Sequence, residues 1–218
     1  MRVTFAEGCS LYKIVWIFYL GAFLGDIVET LFCRFRMGKW MSRSSVVWGP
    51  FSVVWGGSIA MATVLLFRYQ DNSEGFLFVM GTLLGGIFEY LCSIFTERAF
   101  GKVFWDYSRM QFNLNGRINL LYCFFWGIAS VIWFKGIYPP VSDWIEKVLM
   151  DRIGVCVTWI MLIFMICDMF VSYLALVRSG ERAKGKKAVR KWQKIMDKYF
   201  DDKKLYRIYP NAINVTAA

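Results

Sequence analysis

Histidine is absent from this 218-residue chain, and its absence excludes several classes of chemistry. Without an imidazole the chain offers no Ser-His triad, no histidine general base and no histidine ligand for zinc or haem. The six cysteines form neither a Cys-x-x-Cys pair nor a zinc-binding spacing, so they are expected to behave as small hydrophobic residues. Any chemistry of this chain must therefore use carboxylates, amides, arginine, hydroxyl groups or tyrosine.

Charge is also scarce, because only 19% of the residues are charged whereas 57% are hydrophobic. Five stretches are each long enough to cross the roughly 30 Å hydrocarbon core of a bilayer as a helix. We therefore predict an all-α, polytopic transmembrane helical bundle whose main partner is the lipid bilayer. The predicted spans are residues 11–33, 46–67, 75–96, 118–138 and 153–177.

Lysine and arginine set the expected orientation of this bundle. They are most frequent in the first connection, in the third connection and in the tail after residue 177. The positive-inside rule places these segments in the cytoplasm, so the N-terminus is expected outside and the C-terminus inside. The net charge of +10 has the same cause, since basic loops meet anionic headgroups. Nucleic acid is not an expected partner.

The chain contains an internal repeat. Residues 21–29 read GAFLGDIVE, and residues 81–89 read GTLLGGIFE. At helical spacing, the two glycines and the glutamate of each copy lie on one face, and glycines four apart let helices approach closely in lipid. We therefore expect Glu29 and Glu89 to point at protein, at one depth, in a parallel two-span repeat. Such a repeat predicts a site at the interface of its units.

This repeat divides the chain into four predicted units. They are a first membrane repeat unit (1–68), a second (75–138), a fifth span with its connection (139–178) and a basic cytoplasmic tail (179–218). Within the tail, residues 189–200 combine an apolar stripe with basic residues. This pattern predicts a basic amphipathic helix on the inner leaflet, which would also be a docking site for a cytosolic subunit.

A carboxylate inside the membrane needs an explanation, because burying it isolated and ionised costs several kcal/mol. The two glutamates should be neutral, paired or bound to a cation. Three interpretations stay open: a structural polar clamp, a proton or cation site in a transport path, and a catalytic or metal-binding carboxylate pair. The arginines available as partners are Arg34, Arg43, Arg109 and Arg117.

Other polar residues are candidates for the same site. Asp26 occurs only in the first copy, where the second copy has Gly86, and Asp168 is the only acid inside the fifth span. A polar run precedes the fourth span. Its groups would bind a polar or anionic ligand or satisfy one another, with Asn113 or Asn115 as helix N-cap. The run contains Trp105, Asp106, Asn113, Asn115 and Arg117.

Three motifs follow a glutamate helix in this order: 105–108 (WDYS), 112–118 (FNLNGRI) and the pair Trp126-Gly127, which matches Trp55-Gly56 of the first copy. This order resembles the membrane-protein family of ABC-transporter type IV, or CmpB-like, permeases over about residues 15–135. The resemblance implies a bacterial inner-membrane protein with a permease role. Residues 180–187 lack the closing Ser or Thr of a phosphate loop and follow a helix, so any ATPase would be a separate chain.

We therefore expect a transport or permease-type protein that moves an unidentified small solute or ion. In this interpretation Glu29 and Glu89 are the coupled acids, and the polar run shapes the cytoplasmic entrance. One alternative is a membrane-embedded enzyme that acts on a lipid or lipid-linked phosphate at the cytoplasmic face. Another is a structural or assembly subunit of a membrane complex. The residues assign no metal or cofactor and leave homo-oligomerisation open.

Overall fold

The computed structural model describes residues 8–148 and 151–215, and these residues are predominantly helical. Residues 1–7, 149–150 and 216–218, which belong to the predicted units, lie outside the described residues. The described helices are α1 (Leu11–Met37), α2 (Val53–Leu66), α3 (Glu74–Phe100), α4 (Leu120–Ile132), α5 (Tyr138–Val148), α6 (Arg152–Ala183), α7 (Lys191–Tyr199) and α8 (Asp202–Ile208). The short strands are β1 (Lys102–Val103), β2 (Asn113–Leu114), β3 (Ile118–Asn119) and β4 (Ile213–Asn214).

The helices confirm the prediction of an all-α membrane bundle. Among the described residues, four helices are long and apolar enough to cross a membrane, and a shorter apolar helix accompanies them. The four are α1, α3, the continuous helix Leu120–Lys147 and α6, and the shorter one is Val53–Tyr69.

The second predicted span differs most from the structure. Residues 46–67 were expected to be helical throughout, but α2 begins only at Val53. Gly49 has a φ of 94°, and Pro50 has no backbone N–H, so the helix cannot extend through this pair. An irregular segment, residues 42–52, therefore replaces the first part of the span.

Two intramembrane aspartates hold this 42–52 segment in place. Asp168 of α6 is fully buried and accepts a hydrogen bond from the Trp48 backbone N–H at 3.1 Å. Asp26 of α1 is also buried and accepts bonds from the Ser42 hydroxyl and the Arg43 backbone N–H, both at 2.9 Å. Irregular backbone at membrane depth must be satisfied by protein groups, and these two acids do so.

The fourth span is longer than predicted. The sequence pattern places it at residues 118–138, whereas the apolar helix runs through Leu120–Lys147. A π-helical turn, Trp133–Ile137, joins α4 to α5 just before Pro139 and Pro140. A proline ring clashes with the carbonyl four residues earlier in a regular helix, and a wider turn relieves that clash. The helix therefore continues past both prolines.

The two sequence copies fold as two antiparallel helix pairs, α1 with α2 and α3 with α4. The start of α1 meets the start of α6, where the Trp16 indole donates to the Thr158 hydroxyl at 2.9 Å. At the other end, α3 meets the chain terminus, because the Val215 N–H donates to the Gly101 carbonyl at 2.9 Å. We call this second end of the bundle the tail end. Helices α1, α3 and α6 all run toward it.

The tail helix forms as α7, but part of its apolar stripe covers protein. Met196 and Phe200 pack with Phe100 of α3 and with Leu176 of α6. Ile195, on the same predicted stripe, is half exposed. The tail therefore folds back onto the bundle, and only part of its apolar surface is left to meet lipid.

Glycines lie where the paired helices approach most closely. A Cβ atom on Gly25 would lie 2.2 Å from the Cβ of Trp55, and one on Gly85 would lie 2.4 Å from the Cβ of Trp126. These distances are far below van der Waals contact. The glycine spacing of the repeat therefore allows each tryptophan to lie directly against the neighbouring helix.

We predict that Gly85→Ala destabilises the protein, because the added methyl group forces Trp126 or the helix pair to move. Overpacking of this kind costs about 1–3 kcal/mol. Gly75→Ala, on the same helix, is the matched control, since its Cβ would meet nothing within 4 Å. The measurement is the midpoint of thermal unfolding in detergent. Equal midpoints for the two variants would contradict the close contact.

Candidate binding cavity at the repeat interface

A cavity of about 360 Å³ lies between the two helix pairs, near the tail end of the bundle. Both repeat units, the 42–52 segment, α6 and the stretch after α8 contribute to its walls. The charged side chains of its lining are Glu29, Arg43 and Glu89. Most other lining residues are apolar or aromatic, including Trp55, Phe88, Phe95, Phe104, Trp105 and Trp126.

Glu29 has two partners at this cavity. Its Oε1 atom accepts a hydrogen bond from the Trp55 indole N–H at 2.6 Å. Its Oε2 atom lies 3.2 Å from the Nε atom of Arg43. Arg43 was one of the arginines expected to pair with the glutamates, so the first copy holds its acid with one cation and one neutral donor.

Glu89 occupies the equivalent position of the second copy but has neutral partners. Its side chain accepts hydrogen bonds from the Trp126 indole N–H at 2.9 Å and from the Tyr107 hydroxyl at 2.8 Å. Glu89 is only 6% exposed, and it forms no salt bridge with any described residue. Burial, with Glu89 as a further cause, raises the pKa of Tyr107, so this hydroxyl stays neutral and donates.

The two tryptophans bring the acids together. The rings of Trp55 and Trp126 are in contact, with centroids 5.1 Å apart and planes at 48°. Each indole donates to the glutamate of its own repeat unit, and both glutamates line the same cavity. The Trp-Gly pairs of the sequence thus mark the point where the two units meet.

The candidate residues from the sequence fall into separate places. The cavity lining brings together Glu29, Glu89 and Trp105. Asp26 and Asp168 instead hold the 42–52 segment. In the described part of the chain, no three Cys, Asp or Glu side chains form a group that could hold a metal ion. The remaining candidates lie in the loop before α4, namely Asp106, Asn113, Asn115 and Arg117.

This loop is bonded largely to itself. Asp106 accepts from the Ser108 backbone N–H at 2.8 Å, and hydrogen bonds from Ser108 lower the pKa of this carboxyl group. Asn113 donates to the Met110 carbonyl at 2.7 Å and accepts from the Gly116 N–H at 2.9 Å. Asp106 and Asn113 are therefore bonded within the loop itself.

Side chains at the edges of the loop fix it to the bundle. Asn115 donates to the Tyr90 hydroxyl of α3 at 3.1 Å, and within the loop the Trp105 indole donates to the Arg117 carbonyl at 2.9 Å. The Arg117 guanidinium pairs with Glu97 and not with Glu89. This arrangement positions Trp105 and Tyr107 at the cavity wall.

The expected cap of the fourth span is wrong. Neither Asn113 nor Asn115 caps α4, because the polar run forms the β2–β3 hairpin before the helix starts. Asn119 is the N-cap, and its side chain accepts from the Leu121 backbone N–H at 3.0 Å.

The stretch after α8 closes one side of the cavity, and no sequence motif predicts this feature. Tyr209, Pro210 and Asn211 line it, and the Tyr209 hydroxyl donates to the Ser45 carbonyl at 3.3 Å. In the orientation that satisfies both groups, the Asn211 amide oxygen accepts from Arg43 at 2.7 and 3.0 Å. A short antiparallel pairing of β4 with β1 supports this closure. The tail is thus linked to Glu29 through Arg43.

Ion pairs attach the rest of the tail to α6. Arg178 donates two hydrogen bonds to Asp197, both at 2.9 Å, and Arg182 donates to Asp197 at 2.6 Å and to Asp202 at 2.7 Å. The hydrogen bonds from Arg178 lower the pKa of Asp197, and those from Arg182 lower the pKa of Asp202. Such charge-assisted bonds are stronger than neutral ones.

We predict that Trp126→Phe lowers the free energy of unfolding by about 1–3 kcal/mol, because it leaves a buried carboxylate oxygen of Glu89 without its donor. Trp159→Phe is the matched control, since Trp159 lies on α6 with 58% of its surface exposed. Thermal unfolding in detergent measures both. If Trp126→Phe and Trp159→Phe unfold at the same temperature, the hydrogen bond from the Trp126 indole does not stabilise the position of Glu89.

We also predict that acid releases the tail. The carboxyl groups of Asp197 and Asp202 have lowered pKa values in the folded protein. Their contribution to the stability of the attached tail is therefore present above the unfolded pKa of about 4. It is lost as the pH falls through the lower folded values. Hydrogen exchange of α7 amides from pH 7 to pH 3, corrected for the intrinsic rate, measures this. At pH 7, the α7 amides of Asp197→Asn should already exchange as fast as those of the wild type do at pH 3. The prediction would be contradicted if these amides were as protected at pH 7 in Asp197→Asn as in the wild type.

Comparison with known proteins gives a match at the family level. The model of the family described as "Putative ABC-transporter type IV" matches residues 16–173. No curated protein and no solved structure matches the chain. The match extends beyond residue 135, where the resemblance in the sequence ended, and it includes most of the apolar part of α6. The chain therefore belongs to this family of membrane proteins.

Proposed function

We propose that this protein is a transport or permease-type protein whose cavity receives a small solute or ion. The observation that supports this role is the convergence of two carboxylates, the buried Glu89 and the partly buried Glu29, from equivalent positions of the repeat on one cavity. Transporters built from repeats place their substrate sites at the interface between the units. Glu29 and Glu89 are then the coupled acids of the transport path.

The loop before α4 serves this role indirectly. Asp106, Asn113, Asn115 and Arg117 shape the entrance because their bonds hold the loop that presents Trp105 and Tyr107 to the cavity. Asp26 and Asp168 act in the same way on the 42–52 segment, which carries Arg43.

The tail is the movable wall in this proposal. Asn211 and Tyr209 contact the cavity lining, while α7 and α8 are attached by ion pairs to the end of α6. We place the tail in the cytoplasm of a bacterial cell, with the N-terminus outside, because the basic residues concentrate at the tail end. A separate ATP-binding subunit docked on the tail would then act on Arg43 and Glu29 through Asn211.

We predict that Glu29→Gln and Glu89→Gln each reduce transport at least tenfold, because each removes a charge that faces the solute. Cells that produce equal amounts of wild-type protein, either variant or Glu74→Gln are compared by mass spectrometry of intracellular solutes. Glu74→Gln is the matched control, since Glu74 is exposed at the start of the helix that carries Glu89. Wild type and control should share a solute change that both cavity variants lack.

Folding is checked separately by the amount of protein in the membrane and by its elution profile in detergent. Affinity purification from native membranes adds a second readout, in which a stoichiometric ATP-binding chain should co-purify. Solute levels that are identical in all four strains, with folded protein present, would contradict the transport role.

A further inference from the structure

We infer that the cavity takes an organic cation, an ammonium group that carries an apolar body, and this inference rests on the proposed function. The Glu89 carboxylate is the group that such a cation would meet. Each of its oxygens accepts one hydrogen bond from a neutral donor, Trp126 on one side and Tyr107 on the other. These donors orient the carboxylate but cannot balance its charge.

When Glu89 is ionised, the charge balance of the lining leaves one negative charge without a cationic partner. Arg43 is the cation of the described lining, and it is already engaged by Glu29 and Asn211. A buried carboxylate without a cationic partner is costly, and a positively charged ligand removes that cost. An anionic ligand would instead meet two carboxylates in a medium of low dielectric constant.

The walls favour an organic cation over a metal ion. Trp55, Trp126 and Trp105 line the same space, and aromatic faces attract ammonium groups through the cation–π interaction. Hard metal ions need several oxygen ligands, whereas most of this lining is carbon. The volume of about 360 Å³ lies in the usual range for small-molecule pockets and leaves room for an apolar body beside the charged group.

The test uses three probes of the same shape and different charge: choline, 3,3-dimethylbutan-1-ol and 3,3-dimethylbutanoate. Each is titrated into the purified full-length protein in detergent, and tryptophan fluorescence reports binding because three tryptophans line the cavity. We expect saturable binding of choline that is at least tenfold tighter than binding of the alcohol, and no binding of the carboxylate. Glu89→Gln should remove the preference for choline, and Glu74→Gln should retain it.

The comparison of the three probes uses the wild-type protein alone, so the inference stays testable if Glu89→Gln does not fold. Equal binding of choline and the alcohol, preferred binding of the carboxylate, or no saturable binding of choline would each overturn it. These results concern the class of ligand alone. The transport role is judged by the solute comparison in cells, so its failure is distinguished from failure of this inference.

Discussion

Water is absent from the hydrocarbon core of a membrane, so a polar group placed there is costly unless it finds a partner within the protein. Four of the carboxylates in its long apolar helices have partners that define the structure around them. Glu29 and Glu89 accept indole N–H groups from α2 and α4, which ties each helix pair together. Asp26 and Asp168 accept backbone N–H groups and thereby allow an irregular segment at membrane depth.

Close packing and the polar contacts depend on one another. Because Gly25 and Gly85 have no side chain, Trp55 and Trp126 lie directly against the neighbouring helices. Only then can each indole reach its glutamate, and only then do the two tryptophan rings meet between the repeat units. The cavity is the space left beside this contact. The chain terminus completes its wall, so the tail and the membrane repeat form one structural unit.

The parts of this arrangement that follow helical spacing were predictable from the sequence. Glycine spacing and the apolar stretches predicted the packing face of the repeat and the position of its acids. Partners distant in sequence were not predictable, because no periodicity links Glu29 to Trp55 or Glu89 to Tyr107. The start of the second span was predicted too early because residues 46–52 are as apolar as a membrane helix. The Gly49-Pro50 pair was the signal that the helix begins later. The closing role of Asn211 had no signal, since it depends on tertiary contact alone.

Cys92 lines the cavity between the repeat units and allows a direct measurement of whether this cavity is reachable and negatively charged. In a variant whose other cysteines are serine, the rates of Cys92 modification by a cationic and an anionic methanethiosulfonate of similar size are compared in native membranes. We predict that the ratio of the cationic rate to the anionic rate is at least tenfold higher at Cys92 than for a free thiol, and that Glu89→Gln abolishes this difference. A ratio equal to that of the free thiol, or no reaction with either reagent, would contradict it.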